Sequence, residues 1–396
     1  MFDVEKLIRP NIRKFEPYRC ARDDFSTGIL LDANENTYGT ALEQMTKEEE
    51  ELELNRYPDP HQVEVKQRIA DFRNKAPSPL WNEKGELLGV ENLCLGVGSD
   101  ESIDLLMRCT CTPGKDKLLI CKPTYGMYSI CAAMNDVHIV DVPLTYPGFQ
   151  LDVEKVLDTI KQDPSIKLIY LTSPGNPTGA LINPSDIAFL LENAASIWNG
   201  LIVVDEAYID FCKTPENASI STLVNQYPNL VVFQTLSKSF GLAGIRLGIT
   251  MSNRSISYYL NAVKYPYNIS SLTSGVAARA TSSAGLVKMR RHVELIISER
   301  LRLLSELEKI QGVGKNIGGL QANFILIQIL DSNGEPSNET AFELYKTLAE
   351  LNGVVVRFRG KELYCEGCLR ISIGTYEENN YLLENMKKRL EDIYRH

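Results

Sequence analysis

The chain has 396 residues, 44% hydrophobic and 23% charged, and its 42 Lys and Arg against 51 Asp and Glu leave a formal net charge of −9. That length suits two or three domains around a large core, and an acidic balance with scattered basic residues disfavours a nucleic-acid partner. No apolar run approaches the roughly 20 residues that span a bilayer, and the start, MFDVEKLIRPNIRKF, lacks a signal peptide's apolar centre, so a soluble protein of a reducing compartment, the cytoplasm, is expected.

In chain order, residues 1–54 are expected to form an N-terminal arm that completes part of a small domain. EEEELE (48–53) reads as a solvated face, and NKAPSPLWNEKGELLG (74–89) as a surface excursion. A large domain is expected over 55–275. Within it, KLLIC (117–121), VHIVDV (137–142), KLIYL (167–171), LIVVD (201–205), LVVFQ (230–234) and RLGIT (246–250) alternate with helix-length amphipathic segments. That rhythm predicts an α/β/α sandwich with a mostly parallel sheet. Over 276–396 a long helical pattern precedes NFILIQIL, a helix near 339–351, GVVVRF, LRISI and a last helix from about 377, which predicts a smaller α/β domain. The nine cysteines, Cys365 and Cys368 in C-x-x-C and Cys109 and Cys111 in C-x-C among them, read as free thiols, since no second pair or histidine stands at zinc spacing. No metal is expected. His61, His138, His292 and His396 flank no nucleophile motif.

Ligands of parallel sheets gather at the carboxyl ends of the strands. LIVVDEAY delivers Asp205 and Tyr208 there, KLIYLTSPGNPTG opens into a turn with Asn176, and LVVFQTLSK delivers Lys238. An Asp and a Lys buried without partners cost several kcal/mol each, so either they pair with each other or a ligand satisfies both. LGVGSDESIDLL (95–106) puts the backbone N–H groups of Ser99, Asp100 and Glu101 at a helix start, where an anion binds. Its glycines lack the third member of a dinucleotide fingerprint. Thr235, Ser237 and Arg246 add phosphate donors around Lys238. Pyridoxal 5′-phosphate accounts for all of these at once: an aldehyde for the lysine, a pyridine nitrogen for the carboxylate and a phosphate for the anion site. Asn176 and Tyr208 can then bond the ring's 3′-oxygen. Tyr125 either stacks on the ring or, with Tyr128, packs a helix.

SPGNPTG, VVDEAYIDF and TLSKSFGLAGIRLG, with IRPNIRKFEPYRCAR, LDANENTYG, NRYPDP and GCLRISIGTYEEN around them, resemble the class II aminotransferases of fold type I and, within them, the branch acting on histidinol phosphate. The resemblance covers nearly the whole chain. It implies ping-pong transamination with 2-oxoglutarate and glutamate, Lys238 as the Schiff-base lysine and Asp205 at the pyridine nitrogen. It further implies a homodimer in which Tyr57 reaches the partner's cofactor phosphate, with Arg370, Arg357, Tyr18 and Asn34 toward substrate. Arg359 is the neighbour that could confuse the arginine assignment. Competing readings are an aromatic or broad amino-acid aminotransferase, a phosphothreonine decarboxylase and a cofactor-sensing regulator.

Overall fold

Seven short apolar runs assemble into the central sheet. The computed structural model describes residues 2–24, 32–82 and 85–395. Its strands β1 (Leu93–Val97), β2 (Lys117–Ile120), β3 (His138–Asp141), β4 (Ile166–Thr172), β5 (Leu201–Asp205), β6 (Leu230–Thr235) and β7 (Leu247–Ser252) lie in the order β1-β7-β6-β5-β4-β2-β3. β2 to β6 pair in parallel, and β7 is antiparallel to both of its neighbours, β6 and β1. Helices cover both faces, so these strands read as continuous apolar runs rather than alternating ones. Successive residues still point to opposite faces. Ile202 and Val204 join one apolar layer with Ile169, Leu171 and the helix Pro184–Ile197, while Val203 joins the other with Leu168, Tyr170 and the helix Gly98–Thr110.

The first residues of the N-terminal segment, from Phe2 to Ile12, pack on this second layer. Leu7, Ile8 and Ile12 are buried among Ile103, Leu106 and Tyr259. Phe2 N donates to Ala195 O and Arg9 N to Cys109 O, both at 3.0 Å. The helix Val4–Leu7 thus exchanges its apolar side for a core already open beside the large sheet.

The small domain begins with the long helix Ser283–Leu307 and carries β8 (Val313–Asn316), β9 (Phe324–Ile329), β10 (Arg357–Phe358) and β11 (Cys368–Ser372), an antiparallel sheet in the order β10-β11-β9-β8. Its helix Asn338–Asn352 starts at Ser337, whose hydroxyl accepts from Thr340 N, and stops at Gly353, whose φ of +67° suits the residue without a Cβ. Leu344, Leu348, Leu382 and Met386 pack with Ile325, Ile327 and Leu369 against the sheet. The small domain leans on the SPGNPTG turn: Gly319 N donates to Thr178 O at 2.9 Å and Gln321 N to Gly179 O at 3.1 Å.

The 74–89 excursion lies against the β5–β6 connection, where Ser78 N donates to Thr222 Oγ1 at 3.0 Å and Asn225 Nδ2 to the Glu86 and Leu87 carbonyls. Residues 83–84 of it, and Leu31 of LDANENTYG, lie outside the described residues. No helix of the described residues is long and apolar enough to cross a membrane.

Candidate active site

Because β4, β5 and β6 are parallel, their carboxyl ends open on one side of the sheet. Thr172 pairs with Asp205 and Asp205 with Phe233, two residues before Thr235 ends β6. Lys238 follows at once. A cleft of about 330 Å³ opens there, within the size range of small-molecule sites. Its walls bring together Ser99, Asp100, Tyr125, Asn176, Asp205, Tyr208, Thr235, Ser237, Lys238, Arg246, Arg357 and Arg370 of the expected residues, and add Thr172 and Arg359.

Asp205 is buried, and burial lifts its carboxyl to about 6. Opposing that lift, Tyr128 donates its hydroxyl to Oδ2 at 2.8 Å and the Ala207 amide donates to Oδ1 at 3.1 Å. Tyr128 also shares a 2.8 Å bond with Thr172 Oγ1, which lies 3.0 Å from Thr124 Oγ1. Tyr128 therefore fixes the carboxylate's rotamer from behind. Of the pair Tyr125 and Tyr128, only Tyr125 faces the cleft, with its hydroxyl donated to Asp100 Oδ1 at 3.2 Å. Its phenol is raised by burial and by Asp100.

Among the described residues no hydrogen bond or ion pair joins Lys238 to Asp205, so a structural salt bridge is not what frames them. Lys238 Nζ stands 5.7 Å from the Tyr208 ring centroid. Its ammonium is pushed below the usual lysine range, first by desolvation in the cleft and then by Arg370. Tyr208 is buried, its ring edge-on to Phe324, and burial pushes its phenol up to about 12.

The anion end is built from two glycines. Gly98 N donates to Arg246 O at 3.0 Å, and Glu101, the fourth helical residue, closes the helix's first turn with its amide, which leaves the amides of Ser99 and Asp100 without a carbonyl four residues back inside the helix. They face outward at the N-terminus of a 13-residue helix. Gly98 has φ +74°, and a Cβ on it would stand 2.3 Å from Arg246 Nη2; a Cβ on Gly248 would stand 2.4 Å from the Gly98 carbonyl. Only glycine at both places lets β7 bring Arg246 to the helix start. Thr235 Oγ1 and Ser237 Oγ lie 2.9 Å apart beside it. The Glu101 side chain turns away, accepting from Val97 N and from Asn268 Nδ2, and Glu101 does not line the cleft, which corrects its expected place at this end.

At the other end stand three arginines from the small domain. Arg357 and Arg370 are cross-strand partners in β10 and β11. Arg370 donates to Asn176 Oδ1, and its Nε and that of Arg359 are buried without an acceptor. Arg359, just past the end of β10, lines the cleft as well. These orphaned donors, with the free helix amides, fit two anionic groups. A buried carboxylate and an unpaired amine between them fit a pyridine nitrogen and an aldehyde, which is the donor set of pyridoxal phosphate.

Tyr18, Asn34 and Tyr57 are not brought into this cleft. The Tyr57 ring stacks on Tyr267 at 4.6 Å, and Tyr267 meets Tyr18 edge-on at 5.5 Å. Asn34 is exposed with φ +53°, next to Glu35, which accepts from Tyr57 N at 2.6 Å. Tyr128 and Thr172 are the residues that sequence reasoning left without a role. The strand register, which sets Thr172 beside Asp205, was the signal available for the second.

Known proteins align with the chain end to end. A Candida maltosa protein named histidinol-phosphate aminotransferase is 63% identical over 393 residues, covering 99% of this chain and 100% of its own. A Saccharomyces cerevisiae protein of the same name is 52% identical over 394 residues, 98% of each chain. In fold, the chain is similar to histidinol-phosphate aminotransferase from Sinorhizobium meliloti in complex with pyridoxal-5′-phosphate, with a TM-score of 0.72 at 19% identity over 91% of this chain and 90% of that one. The family described as aminotransferase class I and II matches residues 26–386, which take in the whole cleft. On that match and the full-length relatives together, the chain belongs to the class I and II aminotransferases.

Proposed function

We propose that this aminotransferase moves the amino group of L-histidinol phosphate onto 2-oxoglutarate, giving imidazole acetol phosphate and L-glutamate in histidine biosynthesis, with pyridoxal 5′-phosphate as its cofactor. The observation that carries the reading is a single cleft holding Lys238, for which the described residues offer no ion-pair partner, a buried carboxylate, Asp205, the start of the helix Gly98–Thr110, and three arginines. In this reading residues 55–275 hold the cofactor and 276–396 supply the substrate arginines. The protein works as a cytoplasmic homodimer in which Tyr57, with Tyr18 and Asn34 beside it, serves the partner's cleft.

The amides of Ser99 and Asp100, with Thr235, Ser237 and Arg246, bind the cofactor's phosphate, and Asp205 holds the proton on its pyridine nitrogen. Asn176 and Tyr208 bond its 3′-oxygen, and Tyr125 covers a ring face. When bound, pyridoxal phosphate supplies an aldehyde for amines and an electron sink for the pair left at the substrate's Cα. Lys238, with its ammonium already destabilised by desolvation and by Arg370, gives up its proton readily and acts as the base at Cα. Arg357, Arg359 and Arg370 grip the substrate's phosphate in one half-reaction and a carboxylate of the keto acid in the other, since a guanidinium fork suits both.

Glutamate formation from histidinol phosphate and 2-oxoglutarate tests this, with histidinol as the control. Losing the phosphate leaves buried guanidinium donors unpaired, so kcat/KM for histidinol is expected to fall by about a thousandfold or more. Equal use of histidinol, or release of carbon dioxide from threonine phosphate, would overturn the substrate reading.

A further inference from the structure

A second cavity, of about 240 Å³, lies between the helix Val63–Asn74 and the end of the helix Arg254–Val263. Two lysines with little exposure line it, Lys66 at 5% and Lys264 at 9%. Lys66 Nζ donates to Asn261 Oδ1 at 3.1 Å; Lys264 Nζ donates to Pro60 O at 3.0 Å and to Asn268 Oδ1 at 3.5 Å. Every one of these acceptors is neutral, and each ammonium has three protons to place. Among the described residues no carboxylate oxygen comes within the 4.0 Å of an ion pair with either lysine.

The other charges around the cavity are already engaged. Glu91 is paired with Arg254 at 2.6 Å, and His61 Nε2 bonds Asp23 Oδ1 at 2.8 Å. Asp59 accepts from the His61 and Val63 amides, and Glu101 from Val97 N and Asn268. Asp59 attracts both lysines, and Glu101 attracts Lys264, only from a distance. Two like charges enclosed together are costly unless an opposite charge joins them. Burial, with the repulsion of Lys264, already pushes Lys66 down to about 8.

We propose that this cavity is a second anion site, which takes a phosphate group between Lys66 and Lys264, separate from the phosphate ends of the chain's own cleft. The group arrives either as orthophosphate or on a small phosphorylated metabolite.

Equilibrium dialysis of the cofactor-saturated, full-length protein against labelled orthophosphate tests the site, with glycerol 3-phosphate as the organic probe. The wild type is expected to bind one phosphate group per chain more than Lys66→Met or Lys264→Met, and whichever probe binds more tightly names the source. A second reading needs no variant. Acetylation of Lys66 by acetic anhydride, followed by mass spectrometry, should slow about tenfold at a phosphate concentration ten times its Kd, and not in chloride of equal ionic strength. Equal stoichiometry in the wild type and both variants, or Lys66 labelling indifferent to phosphate, overturns the proposal.

Discussion

Asp205 is held against its own solvation, and that has opposite consequences without and with a cofactor. Its folded-state pKa of about 6 lies above the ordinary aspartate value of 3.8, so between those values the folded chain binds more protons than the unfolded one. Stability of the cofactor-free protein therefore falls as pH rises from about 4 to about 6 and stays lower above that. Asp205→Asn removes the penalty: at pH 8, urea unfolding of the cofactor-free variant is expected to show a gain on the order of 3 kcal/mol, shrinking toward zero near pH 4. A variant less stable than the wild type at pH 8 would contradict the burial argument. With cofactor bound the same change should lower turnover by about a hundredfold or more, because the ring nitrogen loses its counter-charge. Lys238→Ala is expected to keep the cofactor, read by absorbance, and to stop turnover; wild-type turnover in that variant would remove Lys238 from its role.

At the scale of elements, the turn between β1 and the helix Gly98–Thr110 is the part on which the cofactor site depends. Gly248→Ala pushes a methyl into the Gly98 backbone, which has no flexible end to yield, and is expected to cost about 1–3 kcal/mol. It should also weaken cofactor affinity at least tenfold by moving Arg246, as measured by fluorescence titration. Unchanged affinity would show that Arg246 does not need this approach. Much of this scale was legible in the sequence, because β2 to β7 are apolar enough to announce themselves. β1 was not, since Gly96 breaks its run, and neither was β8, whose VGKN carries one strong apolar residue and is held by pairing with β9. The places of Lys238, Asp205 and Asn176 were legible because Asp205 ends β5 and the other two stand just past β6 and β4. Tyr128 was not: its contact with Asp205 crosses 77 residues of chain, and helical spacing alone cannot distinguish it from a packing residue. Arg359 was legible only as a neighbour of Arg357, because β10 is two residues long and its alternation cannot be read.

At the scale of the molecule, the small domain brings its arginines to a site the large domain builds, and the aromatic group of Tyr18, Tyr57 and Tyr267 stands apart from that site. If Tyr57 serves the partner subunit, two inactive chains can repair each other. Refolding Lys238→Ala together with Tyr57→Ala is expected to restore activity, because each mixed dimer has one cleft with an intact lysine and an intact tyrosine across the interface. No restoration would place Tyr57 in its own chain's site or out of the reaction. The family was legible from motif order, whereas the docking of the first N-terminal residues was not, since Leu7, Ile8 and Ile12 fit any open apolar layer. The central claim is that this cleft takes the amine of histidinol phosphate. Mixing the purified yellow protein with L-histidinol phosphate, without keto acid, and following the cofactor's absorbance beside a phenylalanine control tests it most directly. Rapid loss of the yellow band with histidinol phosphate and not with phenylalanine is the predicted result; a band bleached by phenylalanine alone, or a protein that takes up no pyridoxal phosphate, would contradict it.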